Sequence, residues 1–137
     1  MSKEKNRAEA ARWLRQAEND FDVASKNVGI GAFNWACFLS QQAAEKAVKA
    51  FWYFHGQDPW GHSVQKLIEE FPDPDARRPL LRLLPQARRA DKLYIPTRYP
   101  NGLPDLAPAD AYGLEEAEAA IADATEIVEA VRRLIGS

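Results

Sequence analysis

One cysteine, Cys37, is the only thiol in 137 residues, so no internal disulfide framework can form and a reducing compartment is the natural setting. Histidine is nearly as scarce. The two present, His55 and His62, stand at no ligand spacing with Cys37, and neither a metal site nor a cofactor is expected. The chain has no glycine-rich phosphate loop and no nucleophile elbow. No window approaches the roughly 18 consecutive apolar residues of a membrane span. The opening MSKEKNRAEA lacks the apolar stretch of a secretory signal, so a cytoplasmic location without a membrane partner is expected. Charge of one sign is lacking too. A net charge of −2 and a pI near 5.7 exclude coating of nucleic acid by bulk charge, while leaving room for a local basic pocket. No internal repeat, low-complexity tract or strand-like alternation occurs.

What is present is helical periodicity. With 46% apolar and 28% charged residues, the chain has the composition of an ordinary globular protein, and residues 1–137 are expected to form a single domain. Its centre is the stretch from Gly31 to about His55, which contains neither proline nor internal glycine. At helical spacing, Phe33, Ala36, Cys37, Ser40, Ala44, Ala47, Val48, Phe51 and Phe54 form one stripe, with Gln41, Glu45 and Lys49 stacked along its flank. Trp35, Phe38, Leu39, Trp52 and Tyr53 lie beside and behind, so this helix must be covered on more than one side. Cys37 falls on the stripe and reads as a small buried apolar residue rather than a reactive thiol.

A preceding helix is expected from about Lys5 to Val28, with Ala10, Trp13, Leu14, Ala17, Phe21 and Ala24 inward and Asp20 anomalous at the stripe edge. Gly29 fits a left-handed stop, and the short link Gly29-Ile30-Gly31 forces the two helices antiparallel. A short helix follows from about His62 to Glu70, ended by Pro72-Asp73-Pro74. Residues Asp75 to Tyr94 read as another helix, kinked or restarted at Pro85, with Leu80, Leu83, Leu84, Ala87 and Tyr94 inward. Five prolines and glycines between Ile95 and Pro108 exclude regular structure there. A last helix from about Pro108 to Leu134 would turn Ala117, Ala120, Ile121, Ala124, Ile127, Val128, Val131 and Leu134 inward. The fold class is all-α, an up-and-down bundle of four long helices plus a short one after the second.

Four features could carry chemistry, each with a plainer reading beside it. Gln41, Glu45 and Lys49 at successive i,i+4 positions form either a polar strip contacting a ligand or partner, or a solvated ladder; periodicity alone favours the ladder. Gly61-His62-Ser63 opens the short helix, either as a simple entry turn with a cap or as an anion-holding or proton-moving histidine. Arg98 leads the proline-stiffened Tyr94-Ile95-Pro96-Thr97-Arg98-Tyr99-Pro100, where a guanidinium could be aimed at phosphate or could be one more exposed arginine. The aromatic set Trp35, Trp52, Tyr53, Trp60, Tyr94 and Tyr99 could stack bases or build core and oligomer interface.

Taken in order, several runs resemble a HEPN domain (higher eukaryotes and prokaryotes nucleotide-binding). They are Trp13…Ala17…Asp20-Phe21…Ala24, the run Gln41-Gln42-Ala43-Ala44-Glu45-Lys46-Ala47-Val48-Lys49-Ala50, and then His62…Leu67. The Tyr94–Pro100 run and Ala117…Ala120-Ile121…Ala124 complete the set. The resemblance covers nearly the whole chain. It implies a helical bundle, commonly a homodimer, in prokaryotes often encoded beside a minimal nucleotidyltransferase and linked to nucleotide or RNA binding and toxin–antitoxin pairs. HEPN ribonucleases resemble one another in an arginine followed, after four to six residues, by histidine. Here Arg98 is followed by Tyr99, Pro100, Asn101, Gly102, Leu103, Pro104 and Asp105, and no histidine occurs after His62.

The expected protein is therefore a HEPN-like homodimer that binds a nucleotide or RNA phosphate, or a minimal nucleotidyltransferase partner, without catalysis of its own. The contacts would be Arg98 and Lys49 to phosphate, His62 as donor or cap, Tyr99 or Trp52 for stacking, with Gln41 and Glu45 completing the strip. One alternative is a divergent metal-independent endoribonuclease using His62 and Arg98. The other is a helical dimer scaffold that binds nothing.

Overall fold

In the computed structural model, which describes residues 2–136, helix α1 (Lys3–Gly29) begins where the Ser2 hydroxyl accepts a hydrogen bond from the Lys5 amide at 3.2 Å. It buries Ala10, Leu14, Ala17 and Ala24, the stripe its spacing predicts. The stop differs from expectation by a few residues. Gly29 stays helical, and the left-handed residue is Gly31 at φ 74°, where glycine carries no Cβ penalty. The amide of Ala32 then folds back onto Asn27 O at 2.9 Å, reversing the chain.

Helix α2 (Phe33–Phe54) lies against both α1 and the last helix, which its apolar breadth demands. Ala36, Ala43, Ala44, Ala47 and Ala50 are wholly buried on it. Their small side chains let neighbouring helices approach closely on more than one face. Larger side chains close its far end: Phe51 meets Phe71 at 4.8 Å between ring centroids, and Trp52 stands edge-on to Phe71 at 5.3 Å. Burying each such ring contributes about 1.5–3 kcal/mol.

The helix expected from Asp75 to Tyr94 is a broken run: α4 (Pro74–Arg77), a 3-10 segment (Arg78–Leu83) and α5 (Leu84–Asp91), with the short α3 (Val64–Glu69) before it. The prolines explain the breaks. Pro79 and Pro85 each sit in the first turn of a new segment, where no amide partner is required, so Pro85 starts a helix instead of kinking one. Leu80, Leu83 and Ala87 still point inward, while Leu84 and Tyr94 are half-buried.

Between 95 and 108 the chain is not wholly irregular, since Pro100–Gly102 makes one 3-10 turn. Buried Thr97 anchors the loop, its hydroxyl donating to Leu93 O at 2.6 Å and its carbonyl accepting from the Asn34 side chain at 3.1 Å. The last helix is also divided. A short α6 (Pro108–Ala111) precedes α7 (Leu114–Leu134), and the Glu116 carboxylate accepts from the Gly113 amide at 2.6 Å to cap the new start. Leu134, expected inward, is exposed, and Ile135 takes the buried position. The outcome is the all-α bundle: α1, α2 and α7 are long, and residues 74–91 supply the fourth side in pieces. No strand occurs among the described residues, and no helix there is long and apolar enough to cross a membrane.

Cys37 packs with Ala36, Ala117 and Ala120 under Phe33, Leu93 and Tyr112. Burial, with a smaller contribution from the Glu116 charge, pushes its thiol from an ordinary 9.0 up to about 12. Between those values the unfolded thiol has lost its proton and the folded one keeps it, so folding stability falls as pH rises through that window. Denaturant titrations of wild type and Cys37→Ala from pH 9 to 11 should show wild type losing stability more steeply. Parallel slopes would contradict the burial argument.

Candidate functional site

The polar row of α2 is inside the protein, not on its surface. Gln41, Glu45 and Lys49 are all buried, because Trp13 of α1 covers one flank and the turn before α3 covers the other. A carboxylate so placed must be fully partnered, and Glu45 is. Its Oε2 accepts from Lys49 Nζ at 2.9 Å and lies 3.3 Å from His62 Nδ1; its Oε1 accepts from Gln41 Nε2 at 3.1 Å. Gln41 Nε2 also donates to the His62 carbonyl at 3.1 Å, and Gln41 Oε1 accepts from Gln42 at 2.8 Å. On the neighbouring face of the helix, Lys46 reaches the anomalous Asp20 at 2.6 Å, and Gln16 donates to its other oxygen at 2.9 Å. The stripe-edge aspartate is thereby satisfied.

His62 is brought to this network by the turn at Gly61, which has φ 90°. Ser63 supplies the cap of α3, accepting from the Lys66 amide at 3.1 Å. The free amides expected to hold an anion there are already taken. Asp91, at the end of α5, accepts from Val64 N at 2.6 Å, Gln65 N at 3.3 Å and the Ser63 hydroxyl at 2.6 Å. Nothing local in the sequence marks Asp91, whose role exists only because α5 packs on α3.

Because a carboxylate only accepts, the contact with Glu45 requires Nδ1 of His62 to carry a proton. The side chain is 58% exposed. Its ring stacks on Tyr94 at 4.7 Å with 17° between planes. Arg98 uses the same ring. Its guanidinium carbon lies 4.7 Å from the Tyr94 centroid, 4.2 Å from that of Phe38 and 5.1 Å from that of Tyr99. Arg98 Nε and Nη2 both donate to the Tyr94 carbonyl, at 3.0 and 2.6 Å.

The structure therefore gathers His62 and Arg98 on Tyr94, sets Tyr99 against Arg98, and ties His62 back to Gln41, Glu45 and Lys49. Lys49 belongs to the inner part, its ammonium bonded to Glu45. Trp52 is apart from this edge: its indole donates to Leu67 O at 2.9 Å inside the core, which leaves Tyr99, half exposed, as the ring available for stacking. Among the described residues no cluster of His, Cys, Asp and Glu could hold a metal.

The family model for the HEPN domain matches residues 10–134. The chain belongs to the HEPN family. A crystal structure of TT1696 from Thermus thermophilus is 40% identical to this HEPN chain, with a TM-score of 0.86 over 91% of this chain and 97% of that one. The archaeal HEPN homologue ST0689 is 36% identical, with a TM-score of 0.75 over 92% and 97%. A Methanocaldococcus jannaschii protein named "Putative toxin MJ1304" is 28% identical over 129 residues, 88% of this chain and 84% of the relative.

In this HEPN protein the inner network makes a stability prediction. Glu45→Ala would leave the Lys49 ammonium buried without its counter-charge. A loss of about 3–5 kcal/mol is expected in urea unfolding. A variant within about 1 kcal/mol of wild type would mean that the ion pair is solvated in solution.

Proposed function

We propose that this protein is a toxin–antitoxin-type HEPN component that binds a phosphate group of a nucleotide or RNA at the edge formed by His62, Arg98 and Tyr99. A minimal nucleotidyltransferase is the partner proposed for the same pair. The observation that carries this reading is the setting of Arg98. Its fork is fixed by the Tyr94 carbonyl and the rings of Phe38, Tyr94 and Tyr99, while Nη1 has no protein partner among the described residues. A guanidinium held in place loses little freedom on gripping a phosphate. Tyr99 and His62, both exposed beside it, offer a stacking face and a further polar contact. The name borne by the M. jannaschii relative supports the toxin–antitoxin part.

A second reading draws on a different observation. Glu45 holds the His62 imidazole through Nδ1, and Arg98 shares the Tyr94 ring. This pairing suits a divergent metal-independent ribonuclease in which His62 takes the proton of a 2′-hydroxyl and Arg98 holds the phosphate. Two measurements on the same variants separate the readings. Calorimetric titration with ATP, GTP, CTP, UTP and short RNA should show binding that Arg98→Ala and His62→Ala weaken by about 1.5–3 kcal/mol each. Unchanged affinity in Arg98→Ala would remove the site. Cleavage of the same RNA in the presence of chelator, lost in His62→Ala, would establish the second reading over the first.

The homodimer is also part of the proposal. Trp35 and Ile95 are large, 47% and 44% exposed, and lie near the Arg98 edge, a composition suited to an interface. Sedimentation at tens of micromolar should give a dimer, and Trp35→Glu should shift it toward monomer. Monomer alone for wild type would exclude it.

A further inference from the structure

Two adjoining hollows lie between α1 and the Lys46–Tyr53 stretch of α2. One, of about 590 Å³, reaches from Glu9 to Asn19 and Lys46; the other, of about 430 Å³, reaches from Lys5 to Tyr53. Glu9 and Arg12 line both, so the two make one groove. From Lys5 to Asn19 it follows α1 for about 21 Å at the rise of a helix. Trp13 and Tyr53 form its floor, half-buried, with ring centroids 5.2 Å apart and planes 32° from parallel. Trp13 is held in place, since its indole donates to Glu9 at 3.1 Å and the Lys49 ammonium lies 5.8 Å from its ring.

The charges around this floor decide what it suits. Glu9 spends one oxygen on Trp13 and the other on Arg12 at 2.9 Å, and Lys46 is paired with Asp20 at 2.6 Å. A wall whose cations are paired, and which contains an acid, is poorly made for the continuous negative charge of a nucleic acid. Tryptophan, tyrosine and arginine are instead the residue types that concentrate at the energetic centre of protein interfaces. Two charges are left over. The exposed side chains of Lys5 and Arg15 have no charged partner among the described residues. They stand about 15 Å apart along α1, one toward each end of the groove. An occupant must therefore be apolar at its middle and negative at both ends.

We propose that the groove receives an amphipathic helix of a second protein, about four turns long, with its apolar face on Trp13 and Tyr53. Acidic residues near its two ends meet Lys5 and Arg15. Acids about eleven residues apart fall on one face of a helix roughly 16 Å apart, which matches the spacing of the two cations. That pairing sets the register of the incoming helix and rejects a basic one. None of His62, Arg98 and Tyr99 lines the groove, and the proposal does not depend on phosphate binding at that edge.

A displayed library of helices about 16 residues long, randomised on their surface positions and selected for binding to the intact protein, tests this. Selection should enrich helices with one apolar face and acids about eleven residues apart. The most enriched peptide, followed by fluorescence anisotropy, should bind Lys5→Glu/Arg15→Glu about tenfold more weakly and Arg98→Ala as it binds wild type. Exchanging its two acids for lysine should restore binding to Lys5→Glu/Arg15→Glu and abolish it on wild type. Both substituted residues are exposed, so the fold should be retained, and the Trp13 indole resonance should shift on binding to wild type. The proposal is overturned if no helix is enriched, if the enriched helices lack the paired acids, or if the charge exchange fails to restore binding. It falls equally if Lys5→Glu/Arg15→Glu turns a dimer into a monomer, which would make the occupant a second copy of this chain. Short RNA displacing the peptide from wild type would assign the groove to nucleic acid instead.

Discussion

The Glu45 carboxylate has almost no water to stabilise it, and the arrangement of one side of the bundle follows from that. A charge buried to this degree needs every lone pair engaged. Lys49 and Gln41 engage it from within α2, but the third partner, His62, must come from another part of the chain. Gln41 reinforces the same docking by donating to the His62 carbonyl. Local helix geometry and long-range chain path are thus tied together at one oxygen pair.

Asp91 and Tyr94 extend this constraint outward. Asp91, the last residue of α5, closes the amide end of α3, and Tyr94, three residues beyond, supports the His62 ring. Tyr94 then receives Arg98 through both its ring and its carbonyl, so the arginine is positioned by the same aromatic side chain that positions the histidine. A guanidinium with its orientation already fixed by short-range contacts recognises a planar anion with little further ordering. The inner network ties α2 to the turn before α3, and the outer edge carries the exposed His62 and Tyr99 rings.

Much of the fold was legible in the residues themselves. The stripes of α1, α2 and α7 and the burial of Cys37 follow from periodicity, and so does a tight reversal within Gly29–Gly31, although the left-handed residue is Gly31 and not Gly29. At Pro85 the residues left a kink and a restart both open; the fold takes the restart, and Pro79 and Pro85 each open a new segment because a first-turn residue needs no amide partner. The polar row of α2 is where periodicity misleads most. An i,i+4 series of Gln, Glu and Lys has the same spacing whether it faces water or Trp13 and His62, so periodicity could not distinguish a solvated ladder from a buried network.

By itself the sequence determined the helical class, the apolar faces, the antiparallel pairing of α1 with α2 and the family resemblance, because these depend on neighbours within a few turns along the chain. Only tertiary structure decided that His62 meets Glu45, that Asp91 caps α3 and that Arg98 and His62 share Tyr94. Those contacts join residues far apart in sequence. Their geometry is set by how helices pack and where burial forces a charge to find partners, which no local pattern of residues encodes.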